Sequence, residues 1–165
     1  MTTEKRGENA SEDMSEGPVP AEAWKTVISN VPLVSVDLVV ETDDGVVLGK
    51  RENEPAKGEW FVPGGRVRKH EELCEAVDRV AESELGCSVA IERQLGVYEH
   101  FYDTSEFDDT GGKHYVPVGY HVSLDSGAEF EPDDQHSSLQ TFQPPFEIDL
   151  HPYVEAYLDD AGILG

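Results

Sequence analysis

An α/β (α+β) fold, a mixed β-sheet sandwiched between helices, is predicted by three features of the sequence. Five segments rich in Val, Ile, Leu and aromatic residues are separated by Asp, Gly and Pro signals, as strands are. Residues 71–85 carry apolar side chains at spacings of three and four, as an amphipathic helix does. The length of 165 residues with 38% hydrophobic content supplies two packed layers of one domain and leaves no room for a second full domain.

The elements follow in order. Residues 1–18 are polar, charged and without apolar periodicity, which predicts a disordered acidic tail ahead of a single domain over 19–165. "PAEAWKTVISNVP" reads as a short helix with Trp24, Val27 and Ile28 on its apolar side, ending near Asn30 before Pro32. "LVSVDLVVET" and "GVVLGKR" are strands joined by the tight turn of "TDDGV". "ENEPAKGEWFVPGG" is irregular, and the helix of residues 71–85 comes after it. "SVAIERQLGVYEHFY", "HYVPVGYHVSL" and "LQTFQ" complete the strands. "PYVEAYLDDAGI" is a closing helix, with Pro152 suited to its first turn and Gly162 to its stop.

Charge narrows the function classes. The formal net charge is -23, from 35 Asp plus Glu against 12 Lys plus Arg, which argues against nucleic acid and anionic membranes as partners. Such an excess repels itself in dilute buffer and is screened in molar salt, so a halophilic, high-salt setting is expected. The N-terminus has no apolar signal segment and no run approaches a membrane span, which predicts a cytoplasmic protein. Cys74 and Cys87 have no metal-binding spacing and read as reduced and structural. Seven of the 12 cations, Lys50, Arg51, Lys57, Arg66, Arg68, Lys69 and Arg79, fall within one thirty-residue stretch, where an anionic ligand is most easily held.

Carboxylates beside an apolar stripe are ordinary on a surface helix, and Leu73, Ala76, Val77, Val80 and Ala81 form such a stripe among Glu71, Glu72, Glu75, Asp78, Glu82 and Glu84. The flanks say more. Gly65, Glu71, Arg79, Glu84 and Gly86, preceded by "WFVPGG", are spaced as in the loop-helix-loop box of the Nudix hydrolase superfamily, which the chain resembles. Val80 and Ser83 stand where that box has Glu, and Ala81 and Cys87 depart from its aliphatic positions. A full set at 80, 83 and 84 would share one helical sector as a triple-carboxylate metal face, and Glu84 remains of it.

The same losses are found in the GDP-mannose mannosyl hydrolase branch, which "VPLVSVD", "LGKRENEPAKGEWFVPGGRVRKHE", "GVYEHFYD", "HYVPVGYHV" and "PDDQH" also resemble. The resemblance implies Mg²⁺-dependent hydrolysis of a nucleotide sugar, GDP-mannose or GDP-glucose, by inverting displacement at the anomeric carbon, to free sugar and nucleoside diphosphate. It implies one Mg²⁺, with Mn²⁺ as a substitute, held by the Gly64 carbonyl and Glu84. Arg51, Arg66 and Tyr115 would contact the diphosphate, and Arg79 would pair internally or reach the phosphates. His136 would be the general base, and Asp37 and His100 active-site residues. A homodimer is also implied.

Physical chemistry supports parts of this independently. Asp37 is a charge inside an apolar strand, where an acid needs a partner or a role. An ordinary imidazole titrates near neutrality, as a base for water should. A diphosphate is already a good leaving group, so a base matters more than an acid. Tyr98 and Glu99 replace the branch's Trp and Gln, and "TSEFDDTGGK" is unlike its counterpart, so the sugar or base pocket is expected to differ. Two other readings remain open at this level: a conventional pyrophosphatase acting on ADP-ribose or a nucleotide sugar, and a non-catalytic nucleotide-sugar sensor.

Overall fold

The computed structural model describes residues 19–125 and 138–164. The tail expected over residues 1–18 lies outside them, as does His136. The elements are α1 (Ala21–Asn30), β1 (Leu33–Thr42), β2 (Gly45–Lys50), β3 (Trp60–Phe61), β4 (Gly64–Arg66), α2 (Leu73–Leu85), β5 (Val89–Val97), β6 (His100–Tyr102), β7 (Lys113–Leu124), β8 (Leu139–Phe142) and α3 (Pro152–Asp160). Eight strands form one mixed sheet in the order β3-β2-β1-β7-β5, with β4 paired to β1, β6 to β7 and β8 to β2. β1 runs parallel to β7 from Leu33 opposite Tyr115 to Glu41 opposite Ser123, and antiparallel to β4, where Asp37 opposes Gly64.

Alternation along β1 creates the two faces. Val36, Leu38 and Val40 pack with Ala76, Val77, Val80, Ala81 and Leu85 of α2. Val39 on the opposite face packs with Val154, Tyr157 and Leu158 of α3. A smaller cluster joins Trp24 and Ile28 of α1 to Leu33, with Phe107 and Tyr115 against it. Apolar side chains two apart on a strand and three to four apart on a helix therefore meet in a sandwich, as the patterning predicts.

Some boundaries differ from the sequence expectation. The segment 88–102 is two strands, because the chain leaves the ladder after Val97 and returns to β7 at His100. The stretch read as irregular contains β3 and β4, short strands that pair with β2 and β1. Helix α2 starts at Leu73, capped by a reciprocal box in which the Glu72 amide donates to Glu75 Oε1 at 2.9 Å, and it ends at Gly86 in the left-handed conformation (φ 74°). Both cysteines are free, but Cys74 is exposed, so only buried Cys87 contributes to the core. Among the described residues no helix is long and apolar enough to cross a membrane.

Candidate active site

A cavity of about 410 Å³ opens where the ends of β2, β4, β6 and β7 meet, and Asp37, Arg51, Gly64, Glu84, His100 and Tyr115 all line it. Local chain geometry explains the meeting. β4 is bonded to β1, so Gly64 is opposite Asp37, and a Cβ on Gly64 would collide with the Asp37 carboxylate and come within 2.8 Å of the Val36 carbonyl. No larger residue fits there. Glu84 reaches the same wall from the last turn of α2.

Val80, which stands at one of the lost carboxylate positions, is 2% exposed and packs in the α2 core cluster. A Cβ on Gly65 would lie 3.0 Å from its Cγ2, so the loop passes close over this side chain. As valine, position 80 belongs to the core beneath the loop and does not line the cavity. Ser83 is exposed and does not line it either.

Two of the expected diphosphate contacts, Arg79 and Arg66, are not among the residues that line the cavity. Arg79 donates from Nε to Glu71 Oε2 at 2.7 Å and from Nη2 to Glu71 Oε1 at 2.9 Å and to the Arg66 carbonyl at 2.8 Å. Glu71 also accepts from the Arg68 amide at 2.9 Å, so the pair pins loop to helix, and Arg79 does not line the cavity. This is the internal pairing of the two roles allowed for it. The Arg66 guanidinium lies 4.9 Å from the Trp24 ring and Arg66 is likewise not a lining residue. Arg51 does line the cavity, with Nε donating to the Pro55 carbonyl at 2.6 Å.

The cavity floor is aromatic. His100 is 3% exposed and its ring lies flat on Tyr153, with centroids 3.9 Å apart and planes 2° from parallel. The Tyr153 hydroxyl accepts from the Phe101 amide at 2.9 Å and donates to the Phe101 carbonyl at 3.1 Å, which fixes the platform. Burial, with His151 nearby, pushes the His100 pKa down to about 4, so the ring is neutral at physiological pH. It then presents one donor and one acceptor nitrogen. Asp37 Oδ2 accepts from the Tyr157 hydroxyl at 2.6 Å, which gives the strand carboxylate a buried partner. Tyr98 packs edge-on against Tyr157 at 4.5 Å and donates to Asp160 at 2.5 Å; it does not line the cavity.

Lys50, one of the seven clustered cations, lines the cavity, and so do Tyr102, Glu106 and Lys113, which sequence reasoning missed. Lys113 follows "TGG" and opens β7, and its isolation from the 50–79 cations concealed it. Among the described residues no group of three or more His, Cys, Asp or Glu side chains could hold a metal ion. Gly64 and Glu84 both line the cavity, and the Gly64 carbonyl and Glu84 carboxylate would be hard oxygen donors, with the Asp37 carboxylate filling the space that a Gly64 side chain would need. That set fits a partly hydrated divalent cation that takes further oxygens from phosphate, and does not fit a thiophilic metal.

A NUDIX domain family model matches residues 31–159. The chain is 55% identical over 141 residues to Low-salt glycan biosynthesis protein Agl8 of Haloferax volcanii, covering 86% of this chain and 89% of that one. It is 42% identical over 131 residues to ADP-ribose pyrophosphatase of Methanocaldococcus jannaschii, covering 77% and 73%. Among solved structures, a MutT NUDIX hydrolase from Burkholderia pseudomallei superposes with a TM-score of 0.60 at 31% identity, over 79% of this chain and 98% of that chain. The NUDIX domain of Shewanella oneidensis NrtR, complexed with ADP ribose, shares the fold with a TM-score of 0.57 at 20% identity, over 81% and 88%.

Proposed function

Because this chain belongs to the NUDIX domain family and is a Nudix hydrolase, we propose that its substrate is a nucleoside-diphosphate sugar, GDP-mannose or GDP-glucose, which it hydrolyses at the anomeric carbon with inversion. The products are free sugar and nucleoside diphosphate. One observation carries the reading: of the box positions 80, 83 and 84, the first is sealed in the core as Val80 and the second is an exposed serine, leaving Glu84 as the one box carboxylate among the residues that line the cavity. One carboxylate and one carbonyl suit a single Mg²⁺ or Mn²⁺ but are poorly equipped to activate a metal-bound water for attack at phosphorus. When bound, the cation would neutralise charge on the departing diphosphate.

The chain's own residues take the remaining tasks. Arg51 and Tyr115 hold the diphosphate, and Asp37 and the neutral His100 ring face the sugar hydroxyls. His136 is the base in this reading, on the strength of "PDDQH" alone, and takes a proton from water as oxygen bonds to the anomeric carbon. The glycosyl C–O bond breaks, and its electrons leave on the diphosphate oxygen. The homodimer implied by the sequence resemblance and the cytoplasmic setting expected from the sequence belong to the same reading. The name of the Haloferax volcanii relative, a glycan biosynthesis protein, supports a sugar-containing substrate.

A second reading, attack at phosphorus to give two monophosphates, is favoured by the name of the Methanocaldococcus jannaschii relative. Hydrolysis of GDP-mannose in H₂¹⁸O separates the two. Label in the sugar is expected; label in phosphate would overturn the proposal.

A further inference from the structure

The cavity contains a cation that the 50–79 stretch does not account for. Lys113 is 6% exposed yet lines the cavity. Its ammonium is 2.9 Å from Glu106 Oε1 and 3.3 Å from Oε2, and Glu106 lines the cavity as well. Oε2 also accepts from Trp24 Nε1 at 2.8 Å, which ties the carboxylate to α1. The ammonium lies 5.4 Å from the Trp24 ring and 5.2 Å from the Tyr115 ring. Both charged residues belong to the segment that departs from the branch the sequence resembles.

A desolvated ammonium is costly unless paired, so Glu106 explains how Lys113 is tolerated there. It does not explain why a lysine stands there at all, because an apolar pair of similar volume would fill the site at least as stably. The position supplies a reason. With Arg79 bound to Glu71 and Arg66 over Trp24, the Lys and Arg residues lining the cavity are Lys50, Arg51 and Lys113. An ammonium has three N–H donors, and the hydrogen bond to Glu106 Oε2 uses one of them, so donors remain for a ligand. The aromatic rings hold the cation in place without offering a competing anion.

We infer that Lys113 is a phosphate-binding cation of this cavity, oriented by the tethered carboxylate of Glu106, and that it recognises the diphosphate of a nucleoside diphosphate. The inference rests on the nucleotide-sugar reading of the site. Glu106 also places a negative charge beside that diphosphate, so it positions Lys113 while weakening the ligand's hold.

Calorimetric titration of the full chain with GDP, GMP and guanosine, in Mg²⁺ buffer and with ADP in parallel, tests this, with thermal unfolding run on each variant. K113M is expected to weaken the diphosphate about tenfold, a loss of 1.4 kcal/mol, the monophosphate less, and the nucleoside not at all. K113R is expected to restore most of the affinity. E106Q keeps the indole acceptor, removes the like charge, and is expected to tighten diphosphate binding several-fold while lowering the melting temperature. Wild-type diphosphate affinity in folded K113M, or an equal loss for guanosine, would overturn the assignment. If K113M does not fold, unchanged affinity in E106Q overturns it, and so does a wild-type chain that binds neither GDP nor ADP. A loss graded by phosphate count together with ¹⁸O label in phosphate would sink the glycosyl-transfer reading and leave Lys113 in its role.

Discussion

Tyr157 of α3 donates its hydroxyl to Asp37 Oδ2 of β1 at 2.6 Å, closing a link between residues 120 positions apart behind the cavity wall. Tyr157 is fully buried, and desolvation together with the Asp37 charge pushes its pKa far above the usual range, so the donor persists at any working pH. Tyr157→Phe keeps the ring that packs against Tyr98 and removes the donor. A loss of about 1–3 kcal/mol in urea unfolding is expected, as for a buried polar group deprived of a partner, with a fall in turnover. A variant as stable and active as the parent would show that Asp37 does not depend on this bond.

The Arg79–Glu71 pair makes a prediction with a sign in pH. Its side chains are 25% and 13% exposed, so solvent screens part of the interaction. The hydrogen bond from Arg79 and the Arg68 amide hold the Glu71 pKa below its ordinary value against the opposing effect of burial. A carboxylate with a depressed folded pKa contributes stability above its unfolded pKa and loses it as pH falls through the folded value. Glu71→Gln should therefore cost about 1 kcal/mol at pH 7, and the difference from the parent should shrink below pH 4. Denaturant midpoints across pH 3–7 check this; a constant difference would mean that charge is not what the pair contributes.

Helix α2 shows where sequence reading succeeds and where it stops. Its stripe was legible because burial repeats every three to four residues, and Ala76, Val77, Val80, Ala81 and Leu85 are all buried. The same spacing puts Val80 in the stripe, and its burial, with Gly65 passing close over it, takes position 80 into the core. β3 and β4 were hidden because two or three residues carry no periodicity, and their pairing depends on the register of β1 and β2. Gly64, Glu84 and Asp37 were legible through resemblance, and the cavity gathers all three. The Trp24–Glu106–Lys113 cluster spans 82 positions between its first two members and left no local signal to find. His136 falls outside the described residues.

His100 should titrate in an unusual range. Burial and the nearby His151 lower its pKa from 6.5 to about 4, while an unfolded chain would protonate it near 6.5. The unfolded state therefore binds a proton that the folded state refuses, and stability contributed by the neutral ring falls as pH drops from about 6.5 toward 4. His100→Asn should remove roughly 2 kcal/mol of the acid-side loss of stability over that window, whatever it costs at neutral pH. NMR of the ring protons should show no titration of His100 above pH 5. A midpoint near 6.5 would contradict both the burial and the neutral hydrogen-bonding role.

Replacing Glu84 tests the cation directly. Glu84→Gln preserves shape and removes one charge from a donor set that contains one box carboxylate, so the Mg²⁺ concentration for half-maximal turnover should rise by about tenfold or more. Chelation by EDTA should abolish turnover in the parent and Mn²⁺ should restore it. Full activity in EDTA would remove the metal from the reaction, and an unchanged Mg²⁺ dependence in Glu84→Gln would move its site elsewhere.

The acidic surface predicts a salt response with a local origin. On the outer face of α2, Glu72, Glu75, Asp78 and Glu82 are all exposed and follow at spacings of three and four. Like charges so spaced each cost a helix about 0.2–0.5 kcal/mol. The rest of a chain with net charge -23 adds repulsion that acts over about 10 Å in 0.1 M salt and about 3 Å in 1 M. A screening gain of only about 2 kcal/mol moves the melting temperature by roughly 5 °C at this size, so melting in 2 M KCl should exceed that in 0.1 M by at least that much. Asp78→Lys should raise the low-salt melting temperature and reduce the salt increment, because it turns the repelling pairs with Glu75 and Glu82 into attracting ones and leaves the Glu72–Glu75 cap in place. An increment left intact by this variant would place the repulsion elsewhere on the surface, and equal melting temperatures at the two salt concentrations would remove self-repulsion from the account of this chain.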